Sequence, residues 1–159
     1  MSSIPSYVRL ENEHVSLIID CQTRVPSMLY YGRKLSAGTT PEMLSLLSTR
    51  QEAKCAPVDE PPIAIVPSYG DGFTGAPGLE LSGPPELWST GATLCDVKQD
   101  ALTATLTCVD SHRQVKLVIV VSLDEKTSVV TLQTELTNLS DSAMNVQWLN
   151  AATISLGTK

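Results

Sequence analysis

The sequence predicts an all-β protein, an antiparallel sandwich with one short helix and a long loop rich in glycine and proline. Three observations support this fold class: apolar and polar residues alternate from Thr93 onward, short polar turns separate the alternating segments, and only one segment carries helix-start signals. With 159 residues, of which 42% are hydrophobic, the chain is long enough to bury one core. We therefore treat residues 1–159 as a single domain.

The first part of the chain contains short predicted strands and the helix. Residues 7–12 and 14–20 form a hairpin-like pair, and residues 27–31 form a further strand that exposes either Tyr30 or Tyr31. Thr39 is the predicted N-cap, with Pro41 in the first turn and Glu42 three residues after the cap. We expect the helix to cover roughly residues 41–50.

Four strands in a meander are predicted in the second part. Residues 102–108 alternate between one apolar and one threonine-rich face, and residues 115–123 are apolar on both faces, which places this strand in the centre of its sheet. Strands over residues 130–136 and 144–148 follow, joined by polar turns. Trp148 lies on the apolar face of the last strand and is expected in the core.

Between these parts lies the long loop, residues 56–85, with seven of the ten prolines. It contains at most short edge strands near residues 63–66 and 79–81. Loops of this length in a domain are usually functional or disordered. Asp59, Glu60 and Asp71 are candidate acidic residues here, although solubility is the favoured explanation for the first two. Tyr69 and Phe73 lie in the loop and Trp88 follows its end; for these aromatic residues, anchoring the loop and contacting a ligand are about equally plausible.

Composition argues against several classes of partner and cofactor. The net charge is −6 and the basic residues are scattered, so neither nucleic acid nor an anionic membrane is an expected partner. No export signal is visible, which predicts a cytoplasmic protein. The four cysteines show no metal-ligand spacing and are expected to be reduced and mostly buried, while His14 and His112 suit surface roles. We expect neither a metal ion nor a cofactor.

Catalytic chemistry has little support in the residues themselves. No Gly-x-Ser-x-Gly motif is present, and most acidic residues fall in predicted turns or on polar strand faces. Two carboxylates suffice for glycoside hydrolysis, so acidic residues alone do not decide the matter. Sugar sites on sandwiches combine an aromatic plane with a few polar groups.

Three segments carry a resemblance to a known family. They are Leu29-Tyr30-Tyr31-Gly32-Arg33-Lys34-Leu35, the loop SYGDGFTGAPGLEL at residues 68–81 and the closing strand WLNAATISL at residues 148–156. In this order they resemble the N-terminal domain of α-galactosidases of glycoside hydrolase family 36. The family's Gly-Asp-Phe-Arg becomes Gly70-Asp71-Gly72-Phe73-Thr74 in this chain, so the arginine is missing.

The resemblance implies a galactose-mutarotase-like β-supersandwich that precedes a catalytic (β/α)₈ barrel. The barrel carries both catalytic aspartates, so this chain would be an accessory domain that supports a homo-oligomer and borders a pocket for α-galactoside sugars. Tyr31, Asp71 and Phe73 would contact the sugar, whereas Tyr69, Gly70, Gly72 and Pro77 would shape the loop. The alternatives are a free-standing carbohydrate-binding module and, with less support, a small hydrolase.

Overall fold

The computed structural model describes residues 4–48, 62–83 and 88–154, and its architecture is almost entirely antiparallel β-structure. The described residues contain nine strands, one α-helix and one 3₁₀ turn at Tyr69–Asp71. The strands are β1 Tyr7–Glu11, β2 Val15–Asp20, β3 Ser27–Arg33, β4 Leu79–Ser82, β5 Thr93–Gln99, β6 Thr103–Asp110, β7 Val115–Leu123, β8 Val130–Asn138 and β9 Asn145–Leu149, and the helix α1 is Pro41–Ser48.

These strands form three antiparallel sheets around one core. The first sheet has the order β1-β2-β3, the second pairs β4 with β9, and the third has the order β5-β6-β7-β8. Apolar side chains from all three sheets belong to one hydrophobic cluster, which includes Leu10, Leu17, Leu81, Leu106 and Ile119. The predicted all-β sandwich with one short helix is thereby confirmed.

The alternation of apolar and polar residues in the sequence is clearest in the strands of the third sheet. In β6 and β7 every second residue is buried, and the intervening residues are half-buried. Strand β7 lies between β6 and β8, so the prediction of a central position is confirmed. Its nine residues span about 25–30 Å, which sets the length of the sandwich.

The last strand differs from the prediction. β9 does not extend the meander but pairs with β4, so that Trp148 lies opposite Glu80. Since cross-strand partners project from the same face of a sheet, Trp148 shares the outer face with a charged residue. Its side chain is 53% exposed, so the expected core position for Trp148 was wrong.

The helix begins one residue later than its predicted cap implies. Thr40 is the residue whose hydroxyl accepts the backbone N–H of Met43 at 3.4 Å, while the Thr39 hydroxyl contacts that of Ser36. The predicted pairing of Thr39 with Glu42 was therefore wrong by one position, because two consecutive threonines compete for the same role. The predicted helix end at residue 50 falls outside the described residues.

Two smaller predictions concern the long loop. Near residues 63–66 the structure has a single bridge between Ser27 and Ala64 instead of a strand, whereas the predicted strand near residues 79–81 is present as β4. Ile65 is nevertheless completely buried, and its carbonyl oxygen accepts the N–H of Thr153 at 2.7 Å. This part of the loop packs as core without joining a sheet.

Three cysteines lie within the described residues, and all three are free thiols. Burial raises the pKa of Cys21 to about 11 and that of Cys108 to about 12. Cys95 is exposed at a bulge in β5, and Cys55 falls outside the described residues. Across the described ranges no three His, Cys, Asp or Glu side chains are placed to hold a metal ion, and no helix there is long and apolar enough to cross a membrane.

Candidate functional site

The glycine-rich loop predicted from the sequence begins with one 3₁₀ turn, Tyr69–Asp71. The Ser68 hydroxyl caps this turn by accepting the N–H of Gly70 at 3.1 Å. Gly72 ends it with a φ of 82°, in the left-handed region that favours glycine, and donates its N–H to the carbonyl oxygen of Tyr69. The glycine at position 72 is therefore required by the backbone conformation of the turn.

The turn is held against the segment that leads into β5. The buried Ser68 hydroxyl donates to the carbonyl oxygen of Thr90 at 2.7 Å and lies 3.1 Å from the Ser89 hydroxyl. The Ser89 hydroxyl also accepts the N–H of Gly70 at 2.7 Å. These contacts join residues about twenty positions apart, so Tyr69 and Trp88 stand on two segments that are bonded to each other.

Charged groups fix both segments to the rest of the domain. Asp71 forms an ion pair with Arg24, with 2.5 Å between Oδ1 and Nη2, and its Oδ2 is a buried atom without a hydrogen-bond partner in the described part of the chain. Asp110 is 1% exposed and accepts the N–H of Gly91 at 2.6 Å. The loop that precedes β3 and the end of β6 therefore both support the site.

The remainder of the loop packs closely. The ring of Phe73 lies over Gly75, where a methyl group would come within 2.6 Å of its Cζ, and Pro77 is buried. Gly78 is enclosed by Val66, Pro67 and Asn150, and a methyl group there would lie 2.7 Å from Cγ1 of Val66. Phe73 is half-buried, and its ring packs against the loop itself.

Tyr69 and Trp88 form a stacked aromatic pair at the surface. Their ring centroids are 5.7 Å apart and their planes are inclined by 10°, a geometry typical of offset stacking. Tyr69 is 37% exposed and Trp88 is 79% exposed. A cavity of about 230 Å³ lies beside them and is lined also by Glu80, Ser89 and Arg113.

Tyr31 lies at the other end of the sandwich. Its side chain is 48% exposed, and its hydroxyl donates to the carbonyl oxygen of Ser128 at 3.0 Å, in the turn that follows β7. Asp71 and Arg24 lie beside Gly91, which is bonded to Asp110 just before β7 begins. Because β7 separates these two ends, the structure brings Asp71, Phe73 and Tyr69 together and places Tyr31 apart from them.

Sequence reasoning missed several residues of this site. For Trp88 the sequence leaves loop anchoring and ligand contact open and does not indicate its pairing with Tyr69, and Arg24 and Asp110 carry no site prediction. Residues 110–113, Asp-Ser-His-Arg, have the composition of one of the predicted polar turns, but nothing in the sequence indicates that the Asp110 carboxylate reaches Gly91. The candidates Asp59 and Glu60 fall outside the described residues.

The fold and the site together define the class of protein: an antiparallel β-sandwich domain that carries a structured, aromatic loop at one end. The chain matches the family model described as glycosyl hydrolase family 36 N-terminal domain over residues 24–159. This match covers most of the sequence, and the chain therefore belongs to that family. No curated protein sequence matches it significantly.

Solved structures of α-galactosidases share the fold. The crystal structure of the α-galactosidase from Lactobacillus brevis superposes with a TM-score of 0.73 at 16% identity, covering 92% of this chain and 23% of that one. The GH36 α-galactosidase AgaB from Geobacillus stearothermophilus gives a TM-score of 0.71 at 12% identity, covering 93% of this chain and 24% of that one. The chain thus spans about a quarter of the length of these structures.

Proposed function

We propose that this chain is the accessory N-terminal domain of a retaining α-galactosidase, an enzyme that removes terminal α-galactosyl residues from oligosaccharides. The domain supplies no catalytic aspartate. It supports oligomer assembly, and its loop at residues 68–78 forms the edge of the sugar site. We further propose that the enzyme works in the cytoplasm.

The observation that supports this role most strongly is the ion pair between Asp71 and Arg24, which fixes the loop in a chain of this family. A loop that only connected two strands would need no ion pair, whereas Asp71 is bound to Arg24 and leaves its Oδ2 unpaired. Because this Oδ2 is buried, the ion pair with Arg24 is the contact through which Asp71 holds the loop in position. The Gly72 turn gives the loop the close backbone curvature that the approach of another surface requires.

The experiment uses the full-length enzyme that carries this chain, with Asp71→Ala compared with Asp100→Ala. Asp100 is an exposed aspartate in the turn between β5 and β6, and its contact there is made by the backbone. Loss of the ion pair that positions the loop should lower kcat/KM for p-nitrophenyl α-galactoside by about tenfold or more. Asp100→Ala should leave kcat/KM unchanged.

A second variant tests assembly. Deleting residues 1–159 should reduce both activity and the oligomer size measured by sedimentation velocity. A truncated enzyme that keeps its kcat/KM and its oligomeric state would contradict the accessory role. Equal activity of the Asp71→Ala and Asp100→Ala enzymes would contradict the position of the loop at the sugar site.

A further inference from the structure

We propose that Tyr69, Trp88 and the cavity beside them form a saccharide-binding site that belongs to this chain alone. The site, which we term the aromatic platform, uses neither a catalytic residue nor any other part of a longer enzyme. It therefore goes beyond the proposed accessory function and holds whether or not that function is correct.

Exposure of the two rings is the first observation. One face of the Trp88 indole is stacked on Tyr69, yet 79% of the residue remains accessible, so the opposite face is open. Large aromatic side chains hold more apolar surface than other residues, and an exposed aromatic plane of this kind is typical of binding surfaces. Stacking on Tyr69 fixes the plane of the indole without covering it.

Rigidity of the support is the second observation. The hydroxyl groups of Ser68 and Ser89 bond the Tyr69 turn to the Trp88 segment, and Asp110 holds Gly91 just beyond it. A surface whose rings are already ordered loses little conformational entropy when a ligand binds. One of these hydrogen bonds, from Ser68 to Thr90, is fully buried, so water does not compete for it.

Polar groups beside the rings fit a sugar better than they fit an anion or an apolar ligand. Glu80 offers a carboxylate acceptor and Ser89 a hydroxyl group, Pro77, Leu79 and Leu81 supply apolar surface, and the cavity that these residues line with the rings measures about 230 Å³. Pockets for drug-sized ligands begin at roughly 300 Å³, so the cavity suits one monosaccharide unit. A pyranose ring combines an apolar face of C–H groups with hydroxyls that both donate and accept, which matches this set.

Trp148 extends the platform beyond one unit. It lies opposite Glu80 on the outer face of the sheet formed by β4 and β9, and it is 53% exposed. Directly opposed side chains in an antiparallel pair are close neighbours. Both tryptophans of the chain therefore flank Glu80, an arrangement that suits an oligosaccharide with a second sugar next to the bound one.

Tryptophan fluorescence of the isolated chain tests the platform. Trp148→Phe keeps an aromatic ring at that position and leaves Trp88 as the sole tryptophan, so that its emission reports on the site. Melibiose and raffinose are the probes, and sorbitol, a polyol with hydroxyls but no pyranose ring, is the control solute. We expect a saturable change in emission with both sugars and none with sorbitol.

Affinities of further variants come from saturation-transfer NMR with melibiose. Trp88→Ala and Tyr69→Ala should each weaken binding by roughly tenfold, the upper range for loss of an aromatic stacking partner. Leu47→Ala is the matched control, because Leu47 is a large apolar side chain on α1 that is 82% exposed. Urea midpoints close to that of the unmodified chain show that each variant is folded.

Several results would overturn the assignment. They are the absence of saturable binding up to about 100 mM sugar, an equal response to sorbitol, or an equal loss of affinity in Leu47→Ala. Self-association that depends on Trp88 and ignores sugar would instead identify the platform as an interface between copies of the chain. None of these measurements depends on α-galactosidase activity, so failure here is distinguishable from failure of the accessory role.

Discussion

Replacing Asp110, the last residue of β6, with alanine is expected to destabilise the whole domain. Its carboxylate accepts the backbone N–H groups of Gly91 at 2.6 Å, His112 at 2.9 Å and Arg113 at 3.0 Å. Asp110 is 1% exposed and Arg113 is 2% exposed, so water does not replace the lost acceptor readily. His112 is exposed, and its N–H can turn to solvent.

The magnitude follows from the two less accessible donors, Gly91 and Arg113. A hydrogen bond to a charged group contributes ~1.5–3 kcal/mol, so losing both lowers the free energy of unfolding by roughly 3–6 kcal/mol. A domain of this size has a total stability of about 5–15 kcal/mol. With a urea m-value of about 2 kcal/mol/M, the midpoint of unfolding falls by roughly 1.5–3 M.

The assay is urea denaturation followed by far-UV circular dichroism, and Asp124→Ala is the matched control. Asp124 makes the same kind of turn and also accepts three hydrogen bonds, from Lys126 N, Thr127 N and Thr127 Oγ1. Those contacts hold its pKa below the usual value, but the carboxyl is fully exposed to water. Its replacement should lower the midpoint far less, and equal shifts in the two variants would refute the reasoning from burial.

The remaining predictions concern packing and thiol chemistry. Gly78→Ala should lower the free energy of unfolding by ~1–3 kcal/mol, because the added methyl group meets Val66 and Asn150. Gly38→Ala is the control, since the space around Gly38 is open and its free energy of unfolding should not change. Similar urea midpoints for the two variants would contradict this prediction. In a Cys55→Ser background, a thiol reagent at pH 8 should modify one cysteine, Cys95, in the folded chain and three after unfolding. The buried thiols of Cys21 and Cys108 keep their protons in the folded state, where their pKa values are about 11 and about 12. The free energy of unfolding should therefore fall as the pH rises from about 9, the ordinary pKa of a thiol, toward those values. A free energy of unfolding that stays constant over this pH range would refute the prediction.

The sequence predicts the parts of this fold that depend on local pattern. The alternation in β6 and β7 identifies both strands and even the central place of β7, because each residue's burial follows from its neighbours two positions away. It does not reveal that β9 pairs with β4, since the partners lie 63 residues apart at Asn145 and Ser82. The misplaced Trp148 follows from the same limit: a strand's pattern shows which residues share a face, but not which sheet the strand joins.

The candidate site likewise has some features that the sequence predicts and others that it does not. The glycine-rich composition of the loop is visible in the sequence, whereas the left-handed conformation of Gly72 is seen only in the structure. The stack of Tyr69 on Trp88 and the ion pair between Arg24 and Asp71 depend on contacts across 19 and 47 positions. No local rule links such residues, so only the folded chain shows which aromatic rings are exposed.

The pairing of β4 with β9 has a consequence for the order in which the chain folds. Its third sheet is a local meander whose strands can pair soon after each is synthesised, whereas β4 must wait for β9, and Gly78 and Ile65 must wait for Asn150 and Thr153. During translation the C-terminal end of the loop at residues 68–78 therefore leaves the ribosome long before its partner Asn150 is available. A pause in synthesis before residue 145 would leave that loop and the apolar side of β4 open to proteases and chaperones, so the last strand decides when the domain becomes resistant to both.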